Sequence, residues 1–148
     1  MQPPISPSPV LQQPARVVPA ELLTALREQL SQHPQIRFAM LFGSQARGIA
    51  RAESDVDLAV SAGRPLGAAE IMALIGDLGA ATGCAVDLID LAVVGEPLLG
   101  QILNHGVRLL GDSAQQAAWL TRHLIEVADF VPLQERILDT RRRQWIGR

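Results

Sequence analysis

The sequence contains no tyrosine, so modification of a tyrosine of its own is excluded. Its single cysteine, Cys84, has no partner for an internal disulfide and no second thiol for a zinc pair. That pattern reads as a buried structural thiol and fits a reducing cytoplasm. No apolar run reaches the length of a membrane span, because Asp, Arg or Gly interrupts every candidate. Neither sign of charge prevails: the net charge is −2 and charged residues make up 19% of the chain. There is therefore no broad basic field to draw nucleic acid and no acidic excess to argue for disorder. Residues 1–14, MQPPISPSPVLQQP, lack the basic start and unbroken apolar core of a secretory signal, and residues 1–18 are expected to be a disordered lead-in.

What is present is enough for one folded domain, since 148 residues with 48% hydrophobic content can build a core. Pro19, then Leu22, Leu23, Leu26 and Leu30, set a helix that ends near His33-Pro34. Ile36 to Phe42 is a short apolar run closed by Gly43 and predicts a buried strand. Asp55 to Ser61 and Ala85 to Leu91 alternate carboxylate and apolar side chains as further strands, with an amphipathic helix over 66–81 between them. A short helix over 97–104, an edge strand over 107–110 and a helical region from Ser113 to about Trp145 complete the chain. Pro132 is expected to break or kink that last region. The order predicts an α/β fold, a small mixed sheet flanked by helices over 19–112, with a C-terminal helical tail over 113–148.

The chemistry is concentrated in Leu41 to Val60, LFGSQARGIARAESDVDLAV. Gly43 lets backbone approach a ligand closely, and the amides of Ser44, Gln45 and Ala46 would open a short helix suited to a phosphate. Asp55 and Asp57 lie two residues apart on one strand, so both carboxylates leave the same face about 7 Å apart. Such a pair repels itself at neutral pH unless a cation intervenes, and oxygen ligands in this number select a hard ion such as magnesium. Asp87 supplies a third carboxylate if the second and third strands pair, completing a site for two ions roughly 3.5–4 Å apart. The plainer account of Asp55 and Asp57 is a half-solvated strand. Against it stand the rarity of aspartate in strands and the Gly-Ser turn at the matching distance. Asp90 has the opposite strand parity to Asp87 and is expected to face away from it.

Gly43-Ser44, ten intervening residues, Asp55-x-Asp57 and a later Asp87 resemble the signature of the DNA polymerase beta-like nucleotidyltransferase superfamily. Within it the chain is most similar to the minimal nucleotidyltransferase (MNT, MntA-type) antitoxins encoded beside HEPN toxins, over about residues 20–112. The resemblance implies magnesium-dependent transfer of AMP from ATP to a tyrosine of a partner HEPN toxin, silencing its RNase activity. It implies Gly43 and Ser44 as the phosphate turn, Asp55 and Asp57 as the paired metal ligands and Asp87 as the third. Arg47 and Gly48 match a less specific continuation of the turn, with Arg47 either on the triphosphate or a solvated loop charge. Two rivals stand beside this reading. One is a stand-alone enzyme adenylylating a small hydroxylated molecule, against which the lack of a second domain argues. The other is a binding module that blocks its partner sterically.

The remaining features are weaker. Glu53 and Ser54 read as a plain turn before the aspartates, and Arg51 as solvated. His33, His105 and His123 show no metal-ligand spacing and are expected at caps or on the surface. Arg141-Arg142-Arg143, with Arg136 and Arg148, form a basic end that reads as a solvated terminus or partner surface rather than a nucleic-acid site. Trp119 and Trp145 with the leucines and isoleucines of the tail fit intrachain packing and a partner surface equally.

Overall fold

The computed structural model describes residues 18–48 and 54–146, excluding the side chains of 130–134 and 146. The expected lead-in thus lies, except for Val18, outside the described residues, as do Arg51, Glu53 and Arg148. Helix α1 (Ala20–Ser31) starts after Pro19, whose carbonyl accepts from Leu23 N–H at 3.2 Å, and buries Leu26 and Leu30. Strand β1 (Phe38–Phe42) runs into a four-residue helix α2 (Gly43–Ala46), and β2 (Val56–Ser61) returns antiparallel to β1. Helix α3 (Ala68–Thr82) then carries the chain across to β3 (Val86–Asp90), parallel to β2, as a sheet crossover must when two strands share a direction. Helix α4 (Leu98–His105), edge strand β4 (Val107–Leu110) and helix α5 (Ser113–Ile146) follow.

The sheet order β3-β2-β1-β4 places the expected four strands in one mixed sheet. Strand alternation divides the core between its two faces. Ala39, Leu41, Val56, Leu58 and Val60 meet Leu26, Leu30, Leu74 and Leu78 of α1 and α3. Phe38, Met40 and Ala59 meet Leu99, Ile102 and Leu103 of α4, with Trp119 and Leu120 of α5 closing that side. Asp90 shows why parity matters: it is buried, and its carboxylate accepts from Leu66 N–H at 2.8 Å and Ala92 N–H at 2.9 Å. It fastens the start of the crossover, on the side opposite Asp87.

Of the break or kink expected at Pro132, the break is overturned. Helix α5 does not end at Pro132 but continues through it to Ile146. A proline there removes one backbone donor and crowds the preceding turn, about 3 kcal/mol. Helical segments of more than a dozen residues on either side retain the other hydrogen bonds and carry the helix across. No described helix is long and apolar enough to cross a membrane.

Candidate active site

The site grows from the β1–α2 turn. Phe42 is extended, and Gly43 reverses the chain with φ of 70°, a left-handed value that side-chain-bearing residues avoid. The turn is then locked from within, Arg47 N–H donating to Gly43 C=O and Gly48 N–H to Gln45 C=O, both at 3.2 Å. Gly43 is also required by its neighbour across the sheet. A Cβ built on it would overlap Asp57 Oδ2 and stand 3.0 Å from Asp57 Cγ. The carboxylate of Asp57 is therefore seated directly against the backbone of the turn.

The register explains this closeness. Phe42, last in β1, pairs with Asp57 in β2, and Asp57 pairs in turn with Asp87 in β3. Residues in register on neighbouring strands share a face, so Asp57 and Asp87 leave the same side of the sheet, the side of α4. Asp55 lies just before β2, two residues from Asp57 and of the same parity. Asp57 is half-buried while Asp55 and Asp87 are exposed. Burial pushes the Asp57 carboxyl above its ordinary range, and the negative charges of Asp87 and then Asp55 push it further in the same direction. Three carboxylates thus share one local field with no basic side chain among its causes. Among the described residues no three such groups converge as a ready ligand cluster. The arrangement gathers the aspartates on one face and leaves the final approach of the side chains open.

Ser44 is half-buried in the first turn of α2, and Arg47 at its end is exposed. Phe42, Gly43 and Arg47 form one wall of a cleft of about 380 Å³, whose other wall is Leu98, Gln101 and His105 of α4. Sequence reasoning missed this wall. Its signal was present in the spacing of Leu98, Gln101 and His105 at i, i+3 and i+7, one face of a helix. His105, read as a cap or surface residue, is exposed on that wall. Gln45 was also missed. It is buried, and its Nε2 donates to Ser54 C=O at 3.4 Å, tying α2 to the residue before Asp55. The other histidines lie elsewhere: His123 Nδ1 is 2.6 Å from Glu96 Oε1, and His33 Nε2 is 2.9 Å from Asp77 Oδ2.

Comparison with known proteins finds the same fold elsewhere. A chain of a toxin–antitoxin complex crystallised with AMP-PNP superposes with a TM-score of 0.71 at 24% identity, covering 80% of this chain and 96% of that one. A chain of the MntA–HepT toxin–antitoxin complex gives 0.65 at 22% identity, over 80% and 95%. A chain of the Shewanella oneidensis complex of a tri-AMPylated HEPN toxin with an MNT antitoxin gives 0.62 at 21%, over 80% and 97%. At these identities the likeness is one of fold. Among curated proteins no sequence matches. The polymerase beta nucleotidyltransferase family model, however, matches residues 24–115, more than half of the chain, and it is to this family that the chain belongs.

Proposed function

We propose that the protein is an antitoxin that transfers AMP from ATP to a tyrosine of a cognate HEPN toxin. The observation that carries the reading is the register Phe42–Asp57–Asp87, which sets two carboxylates on one face with the first against the Gly43 turn. Asp55, Asp57 and Asp87 fit a pair of magnesium ions, because three like charges with a raised central pKa gain most from a divalent cation. When bound, such ions polarise the α-phosphoryl oxygens and stabilise the departing pyrophosphate.

This chain's own residues do the rest. The backbone of Gly43 and Ser44 receives the triphosphate, with the Ser44 hydroxyl as an added donor and Arg47 on the cleft wall as a countercharge. Asp87, exposed at the sheet edge, faces the side from which an acceptor arrives. The phenol oxygen of the acceptor forms a bond to the α-phosphorus of ATP, and the bond from that phosphorus to the β-bridging oxygen breaks. Pyrophosphate leaves, and the phenolic proton passes to Asp87 and on to solvent. The toxin–antitoxin complexes that share the fold support a HEPN partner, one containing AMP-PNP and another a tri-AMPylated toxin.

Intact-mass spectrometry of the partner after incubation with ATP and magnesium tests the proposal. The wild type should add one or more AMP masses, and Asp87→Asn should bind ATP but transfer none. A toxin of unchanged mass, inhibited equally by both proteins, would make this chain a steric blocker. Transfer to a small hydroxylated molecule but never to protein would move it to the other rival reading.

A further inference from the structure

Helix α5 has two unlike parts. Its first turns are tied to the domain: Arg122 donates to Leu91 C=O at 2.7 Å and to Val94 C=O at 3.0 Å, and His123 pairs with Glu96. From Val127 to Trp145 every described side chain is exposed. Exposed with them are large apolar groups, Leu124 at 65%, Leu138 at 64% and Trp145 at 89%. Of the six exposed large apolar groups described on α5, Ile125 and Ile137 point elsewhere and the other four share a face. Val127, Leu138 and Trp145 lie 3, 14 and 21 residues after Leu124. At about 100° per residue all four fall within a stripe roughly 60° wide. A stripe about three heptads long on one helix face is the seam of a helix pair, not of a solvated helix.

Charge is segregated along the same stretch. Residues 124–134 carry two acids, Glu126 and Asp129, and no base. Residues 135–145 carry four bases, Arg136, Arg141, Arg142 and Arg143, against Glu135 and Asp139. A second copy lying parallel would set acid on acid and base on base. A second copy lying antiparallel, with its two-fold axis between residues 134 and 135, sets the acidic half against the basic half. The same axis brings Leu124 opposite Trp145 of the other copy. It also sets Glu126 opposite Arg143, and self-complementarity of this kind, Leu124 on Trp145 and acid on base, defines a two-fold interface.

We infer that residues 124–145 of α5 pair with the same segment of a second copy as an antiparallel two-helix seam, so that the protein is a homodimer joined through its tail. The seam stands apart from the nucleotidyl-transfer site, and the inference holds or fails separately from it.

The full chain in sedimentation velocity across the micromolar range should show twice the chain mass, and Leu138→Asp should show the monomer mass with an unchanged far-UV circular dichroism signal for the domain. Orientation is read by cross-linking in a Cys84→Ser background. Leu124→Cys mixed with Trp145→Cys should give a disulfide-linked dimer under mild oxidation, while neither variant links to itself. A monomeric wild type, a dimer untouched by Leu138→Asp, or self-linking of Leu124→Cys would each overturn the inference. A wild type that is monomeric alone but forms a complex with a HEPN toxin that Leu138→Asp abolishes would overturn it too, giving the seam to that partner.

Discussion

Replacing Gly43 by alanine adds one methyl group, and the structure says where it goes. The new Cβ overlaps Asp57 Oδ2 and stands 3.0 Å from Asp57 Cγ, while φ at this residue is 70°. Two costs follow, and they can be separated. Left-handed backbone with a side chain costs about 1–2 kcal/mol of stability, which for a chain of this size lowers Tm by roughly 2–8 °C. The second cost is local, because the Asp57 carboxylate must retreat by about 1 Å, a misplacement that costs transfer on the order of 100-fold. Gly63 provides the control. It too has positive φ, at 74°, yet nothing lies within 4 Å of the Cβ it would acquire. Gly63→Ala should therefore lose comparable stability and retain transfer. The assay is the initial rate of AMP incorporation into the toxin, with thermal melting of each variant measured in parallel. If Gly43→Ala transfers as fast as Gly63→Ala, the seat of Asp57 against the turn is not what the chemistry uses.

Other perturbations reach different parts of the argument. Gln45→Ala removes the bond to Ser54 C=O that ties α2 to the residue before Asp55, so transfer should fall more than the roughly 1 kcal/mol lost from stability; equal loss of folding and activity would make Gln45 merely a core residue. Gly100→Ala places a Cβ 2.5 Å from His123 Cε1 and 3.2 Å from Glu96 Oε2. It should cost about 1–3 kcal/mol by overpacking the α4–α5 contact, read as a lower Tm with the transfer rate kept. Glu70 accepts from Arg64 and from Gly67 N–H, and these partners hold its carboxyl at about 2, below the ordinary value of 4.5. A depressed acid stabilises the folded state above its unfolded pKa and loses that contribution as pH falls through the folded one. The Tm difference between wild type and Glu70→Gln should thus be constant near neutral pH and shrink between about 4.5 and 2. A difference that grows with acidity would contradict the assignment.

Much of the site was legible because its logic is local. The Gly43 turn follows directly on an apolar strand, and Asp55 and Asp57 share a face by strand periodicity alone, since alternate residues point the same way whatever the sheet does. Asp90 was separated from Asp87 by the same parity, and its buried carboxylate holds backbone amides instead. What periodicity cannot supply is register between strands distant in sequence. That Asp87 stands opposite Asp57 depends on β2 pairing parallel with β3, which is fixed by how α3 packs its Leu74 and Leu78 across the sheet. The cleft wall of Leu98, Gln101 and His105 likewise exists only because α4 lies over the sheet face that Asp57 shares. Pro132 does not end the helix because a single missing donor is outweighed by the helix on both sides. The tail's two tryptophans have the same chemistry in sequence but different fates. Trp119 falls where α5 still meets the core, and Trp145 lies beyond the domain's reach, a distinction set by where the packing partners end.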